Sequence, residues 1–406
     1  MTATKPRQAK KESGTSSSAL CGKDPLLRFM MDKLRTPLRA AICAALIHGI
    51  AYFGAGLWVN HAYKGAKFTG IFDPVEIWWG SFLWLVVVPI FWAYFVWQPV
   101  GISKVIDSLH RNGVIFRPGE IEDSESTSPK PLTENRDLFS RVSAAHNRSF
   151  WPVMALLATS VAVFLYEVFL VPLSTLAEPV FWDVDPRTHS LLLVLVGFNT
   201  YIIVSFALRT LAMTIELRVF FRNRSSITTI HPLHPDECGG FGALGTFAAR
   251  LGGIGIMTGF WAAFLAYYPM IAGYPPQLNL ITAMLYVAYA VITPICLIMP
   301  IWSAHKAMQR FRDFQLSVIS HEIEGLVASS VRRLDIMRQA PNVKPLQADV
   351  DQMGYLKQMY QFVMSTTPVW PISVPSIRRF SITASLPLVS GLLPLAIDIT
   401  LQLVSG

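Results

Sequence analysis

Charge is scarce in this chain. Of 406 residues, 15% are Asp, Glu, Lys or Arg against 52% hydrophobic, and the mean hydropathy is +0.42. That balance excludes an ordinary soluble domain. Cysteine is scarce too: Cys21, Cys43, Cys238 and Cys296 are scattered, with no CxxC and no close pair, which excludes a disulfide framework and a cysteine-rich zinc module. No HExxH occurs, no Gly-Lys-Ser/Thr completes a phosphate loop, and no GxGxxG follows a strand pattern, so the common metalloprotease and nucleotide-binding readings fall away. No internal repeat is visible, which counts against the inverted-repeat transporter folds.

What the chain does have is long apolar runs. About 20 apolar residues cross the hydrocarbon core as a helix, and seven runs qualify: 40–59, 77–98, 151–176, 190–215, 251–273, 279–302 and 380–404. The expected fold class is therefore all-α, a polytopic helical membrane protein of about seven transmembrane helices. Five of the 11 tryptophans (Trp78, Trp79, Trp84, Trp92 and Trp97) belong to the second run and mark both its ends, as interfacial anchors do. The last run is interrupted by Pro387, Gly391 and Pro394 and is the weakest of the seven.

Lysine and arginine give the orientation, because short loops rich in them stay on the cytoplasmic side. With the amino terminus inside, 29 of the 34 fall in inner segments and only Lys64, Lys67 and Arg187 in outer ones. That bias accounts for the net charge of +8 without nucleic acid as a partner. The expected organisation is a disordered basic cytosolic tail (1–37), a membrane domain (38–302) with a cytosolic linker (99–150), a cytosolic helical hairpin (303–367), and a surface strap plus last span (368–406) whose carboxy terminus is external. A transit peptide is the rival reading of the tail, weakened by Asp24 and Asp32. The surroundings are those of a cell membrane, plasma or bacterial inner, with the lipid bilayer as partner.

In the hairpin, Leu316, Ile319, Ile323, Leu326, Ser330, Leu334 and Met337 recur at spacings of three and four, one face of an amphipathic helix that needs a partner. Pro341 and Pro345 break it, and Met353, Leu356, Tyr360 and Val363 face one way on a second helix. A homo-oligomer through 303–367 is the competing arrangement. Pro368, Pro371 and Pro375 are expected to keep the segment before the last span extended.

The candidate functional residues fall into three groups. Ionisable residues inside apolar runs are expensive in lipid and face the bundle interior or a wet cavity; Glu167, Asp398, Arg209 and Arg250 qualify, with His48 near mid-span. Counted at 1.5 Å per residue, Glu167 and Asp398 lie roughly 24 Å and 27 Å from the inner ends of their spans, at one level near the outer side. For Arg209 the plain reading is snorkelling to the interface, and for His48 a satisfied interhelical hydrogen bond. The second group is the loop HPLHPDEC, where His231, His234, Asp236, Glu237 and Cys238 are all competent metal ligands. Pro232 and Pro235 prevent a helix from presenting them on one face, so the loop reads as a turn whose acids cap the next helix, and no metal or cofactor is expected. The third group is glycine: Gly255 and Gly259 form GxxxG, and Gly252 extends a small-residue face for close helix packing. An anion or pore-lining site at the Gly-rich helix start, beside Arg250, is the sharper alternative.

Three function classes follow. A channel or transporter for an ion or small solute comes first, because one cavity would explain the intramembrane acids, the glycines and the broken last span. A membrane sensor or effector signalling through the cytosolic helices comes second, and a membrane-embedded enzyme using the HPLHPDEC loop third, since that loop lacks a nucleophile-base pair. The chain is more readily a non-enzyme.

Overall fold

A computed structural model describes residues 24–63, 80–115, 138–165, 167, 185–222, 230–271, 280–337, 344–387 and 389. Among them there is helix and no strand. The helices are α1 (Pro25–Lys33), α2 (Pro37–Ala62), α3 (Gly80–Arg111, with a π-helical turn at Leu83–Val87), α4 (Leu138–His146), α5 (Phe150–Leu165), α6 (Pro186–Arg222), α7 (Gly242–Ile271), α8 (Leu280–Met337), α9 (Lys344–Thr366) and α10 (374–387).

Among the described residues, five helices are long and apolar enough to cross a membrane: α2, α3, α6, the Gly242–Phe264 part of α7, and the Tyr289–Arg333 part of α8. This is the build of a multi-pass membrane protein. Besides an apolar core, the helices carry rows of apolar side chains on their outer faces. On α2 the covered face is mostly small residues with His48, Tyr52 and Val59 among them, while Ile42, Leu46, Ile50 and Leu57 point outward and Ile50 is 73% exposed. A row of this kind disfavours water, at about 25 cal/mol per Å² of apolar surface, and suits lipid. Of the remaining expected spans, 151–176 is described only through α5 and Glu167, and 390–404 lies outside the described residues.

Two segments differ from the sequence expectation. Residues 24–37, assigned to a disordered tail, form α1 and the turn into α2. Asp24 caps α1 by accepting from the Leu27 amide at 2.9 Å, Pro25 occupies the first turn, and Leu27 and Met30 insert into the core beside α3. A cap, an N-terminal proline and two apolar residues three apart suffice for a short helix once a groove receives it. Around Pro375, expected to be extended, the strap ends at Ser373 and α10 begins. Ser373 accepts from the amides of Ser376 and Ile377 at 3.0 and 3.1 Å, and Pro375 sits in the first helical turn, where its missing N–H costs no bond.

The longest interface is between α7 and α8. It is built on glycine: a Cβ on Gly255 would strike Thr293, one on Gly259 would meet the Tyr289 ring at 2.7 Å, and one on Gly252 would meet Phe380 of α10 at 2.5 Å. α8 continues far beyond its apolar part, and α9 packs back on it. The covered positions include Ile319, Ile323, Leu326 and Ser330 on α8 and Asp349, Met353, Leu356, Tyr360 and Val363 on α9. Asp349 accepts from Ser330 at 3.1 Å and pairs with Arg333 at 3.0 Å.

Candidate functional site

α6 is 37 residues long, about 55 Å at 1.5 Å per residue, and one side of it carries a series of covered polar groups. Thr188, Asn199, Ser205, Arg209 and Thr210 are buried on the side where Asp24, α2, α3 and α4 pack. Its other side shows Val194, Ile203, Leu211 and Ile215 to the surroundings. Each polar group finds a partner on a neighbouring element or on its own backbone, as burial demands.

At the α6 start, Asp185 accepts from the Trp58 indole at 3.2 Å and the Tyr63 hydroxyl at 3.4 Å, tying the end of α2 to α6. One turn on, His189 Nε2 lies 2.9 Å from Glu167 Oε1. In the middle, the Trp92 indole donates to Asn199 Oδ1 at 3.0 Å, and Asn199 Nδ2 donates to His48 Nε2 at 2.9 Å. His48 Nδ1 lies 2.7 Å from the Ala44 carbonyl, which can only accept, so Nδ1 carries the proton and Nε2 is the acceptor. The imidazole is thus neutral, stacked on Trp84 with 5.3 Å between ring centroids. Further along, Gln98 Nε2 donates to Thr210 Oγ1 at 2.7 Å and to the Phe206 carbonyl at 3.3 Å.

The densest part is a buried ion pair. Arg209 is 2% exposed and its guanidinium bonds the Asp24 carboxylate. The same carboxylate oxygen accepts from Tyr201 at 3.1 Å and Ser205 at 3.3 Å, while its other oxygen caps α1. Arg209 therefore does not snorkel, because the Asp24 cap of α1 brings a countercharge to it, steadied by the two α6 hydroxyls, and the Phe95 ring lies 5.3 Å from its Cζ. His146 at the end of α4 is buried nearby. Burial, and then the Arg209 charge, holds its pKa down at about 3, so it stays neutral. Arg141 of α4 pairs with Glu216 of α6 at 3.4 Å.

The HPLHPDEC loop is a separate construction, organised by Asp236. Its Oδ1 accepts from the amides of Cys238 and Gly240 at 2.9 and 3.1 Å and its Oδ2 from Gly242 at 2.8 Å, so the carboxylate sits on the first amides of α7. Burial alone would raise its pKa, but the Gly242, Cys238 and Gly240 amides and the His234 imidazole outweigh it and hold the carboxyl below its usual range. Such tight wrapping needs left-handed backbone at Glu237, Gly239 and Gly240, with φ of 56°, 64° and 96°. Glu237 points outward and caps nothing among the described residues, unlike the expectation for it. Cys238 is buried, and burial followed by the Asp236 and Glu237 charges pushes its thiol up to about 12, far from nucleophilic. The His231 and His234 rings are 6.1 Å apart, His234 Nδ1 is 2.7 Å from Asp236 Oδ1, and no group of three His, Cys, Asp or Glu able to hold a metal exists among the described residues. The two histidines border an open groove of about 580 Å³ shared with Arg111 and Phe362.

Of the pathway candidates, the structure puts His48 and Arg209 on one polar face and joins Glu167 to its end through His189. Arg250 is apart on α7, exposed, with its Cζ 5.9 Å from the Trp97 ring centre. Asp398 lies outside the described residues. Asp24, Gln98, Asp185, His189, Asn199, Tyr201, Ser205 and Thr210 escaped the sequence reading, which looked for charges inside apolar runs. A search for amides and hydroxyls recurring on one face of residues 185–216 would have found most of the α6 members. No known family model, no curated protein and no solved structure matches the chain.

Proposed function

We propose that the chain is a multi-pass membrane protein that moves an ion or small solute along the polar seam of α6. One observation carries this reading: buried polar groups extend from Asp185 to Arg209, about 36 Å of helix and enough to cross a hydrocarbon core of about 30 Å. Polar groups at such depth are costly and normally mark a pathway. In the state described the seam groups bond one another, so passage requires their bonds to be exchanged for bonds to the solute. A gated transporter fits that better than an open pore.

The orientation is amino terminus cytosolic and carboxy terminus external, with seven spans once 151–176 and 380–404 are included. Bonds between helix ends support the alternation this requires. Asn112 at the end of α3 donates to Gly240 before α7, Arg310 of α8 donates to the Phe221 and Arg222 carbonyls ending α6, and the α2 end meets Asp185. Each bond joins ends that the lysine and arginine bias assigns to one side. On this reading α8 beyond Trp302 and α9 form a cytosolic hairpin, and the exposed Val350, Tyr355 and Phe362 on α9 offer a surface for a second copy of the chain. The sensor reading draws on that same hairpin.

The test is flux in proteoliposomes against a panel of Na⁺, K⁺, H⁺ and Cl⁻. The wild type should exceed protein-free vesicles for at least one cargo, and Gln98→Met, which keeps side-chain volume but removes the amide, should lower that flux about tenfold, some 1.4 kcal/mol in barrier, at an unchanged melting temperature. Folded protein that passes none of the panel would favour the sensor reading instead.

A further inference from the structure

A second polar feature lies outside the seam. Between the carboxy-terminal end of α6 and the middle of α8 is a cleft of about 550 Å³, and Arg218, Arg222, Lys306 and Arg310 all line it with no acidic residue among its lining. Four cations in one cleft repel one another. Arg310 is committed to the protein, donating to the Phe221 and Arg222 carbonyls at 2.8 and 3.0 Å, which satisfies the α6 terminus. Lys306 lies over the Trp302 ring, 5.4 Å from its centre. Ser303 also lines the cleft; it is 8% exposed, and its Oγ has no hydrogen-bond partner among the described residues. A buried hydroxyl left unmatched beside such a cleft is a donor open to a water, an ion or a ligand atom.

The other walls of the cleft are apolar. Ile298, Met299 and Trp302 line it and continue the outward row of Val287, Val291 and Ile295 along α8. On α6, Leu211, Ile215 and Val219 make the matching row that leads to Arg218 and Arg222. The cationic cleft thus caps two lipid-suited stripes at the level where Trp302 would anchor at an interface. A soluble anion would need only the cations; a molecule with a phosphate and acyl chains uses both walls.

We infer that this cleft binds the phosphate group of an anionic phospholipid, with its acyl chains along the α6 and α8 stripes and Ser303 donating to a phosphate oxygen. The inference rests on the membrane reading above and is independent of the transported solute. Basic pockets between transmembrane helices on the lysine- and arginine-rich side hold such head groups, and arginine matches phosphate bidentately.

The experiment compares melting in nanodiscs of phosphatidylglycerol and of phosphatidylcholine, counts retained lipid by native mass spectrometry, and adds inorganic phosphate to detergent-solubilised protein as a separate arm. Phosphatidylglycerol should raise the melting temperature and be retained. Arg222→Gln with Lys306→Gln, and separately Ser303→Ala, should each weaken retention about tenfold while melting normally in phosphatidylcholine. Arg378→Gln with Arg379→Gln, outside the cleft, should retain lipid as the wild type does. Equal retention by the cleft and control variants, or a full effect from inorganic phosphate alone, would overturn the proposal. Failure to enter nanodiscs at all would instead overturn the membrane reading, and the lipid site with it.

Discussion

Asp24→Ala should lower stability by about 3–5 kcal/mol, the range for breaking a buried ion pair by removing one partner. The size comes from what is left behind. Arg209 stays 2% exposed with its charge uncompensated, Tyr201 and Ser205 lose an acceptor, and α1 loses its cap at the Leu27 amide. Arg209→Ala should cost a similar amount, because a buried carboxylate then keeps only hydroxyl and amide donors. The double change Asp24→Leu with Arg209→Met should be milder than the sum of the single changes, since well-packed apolar residues often replace a buried pair at little cost. Thermal and denaturant unfolding in detergent measure all three. Wild-type melting of Asp24→Ala would mean that α1 does not dock where the geometry puts it.

Gly255→Leu should be the next most damaging change, at about 1–3 kcal/mol or more for overpacking. The first added carbon would already lie 2.7 Å from Thr293 Cα, a backbone atom that cannot swing aside. At Gly259 the added carbon meets the Tyr289 ring at 2.7 Å and Pro387 at 2.9 Å, so α8 and α10 would both have to retreat. Gly54→Leu is the control, because nothing lies within 4 Å of a Cβ there. If Gly255→Leu and Gly54→Leu melt alike, α7 and α8 do not pack as described.

Those two sites divide what could be read in the sequence from what could not. Spacing four between Gly255 and Gly259 announces a close approach because the signal lies within one helix, while the partner residues Thr293 and Tyr289 carry no mark of their role. The covered faces of α9 and of α8 through Ser330 were legible for the same reason, being periodic in one segment each, while the side chains of Leu334 and Met337 lie outside the described residues. Asp24 was illegible: it stands in a polar, Ser-rich stretch that composition reads as a tail, and its partner is 185 positions away. Arg209 was found as a charge in an apolar run, and its environment followed only from the fold. Asn199 and Gln98 carry no charge and so passed a search based on charge, although a buried amide left unbonded still costs roughly 2–7 kcal/mol. Pro375 was misread because proline breaks a helix interior yet suits a first turn. Asp236 was legible as a cap, since an acid just before a helical run is the expected pattern.

The most direct measurement asks whether α6 lies in a bilayer. In a background with Cys21, Cys43, Cys238 and Cys296 changed to Ala, single cysteines at Val194, Ile203 and Leu211, all on the outward apolar side of α6, are exposed to a charged, membrane-impermeant maleimide in permeabilised native membranes. The account predicts protection at all three until detergent dissolves the membrane, and rapid labelling throughout of a cysteine at Ser126 in the linker. Labelling of the three at the Ser126 rate would put that face of α6 in water and contradict both the membrane build and the seam as a pathway.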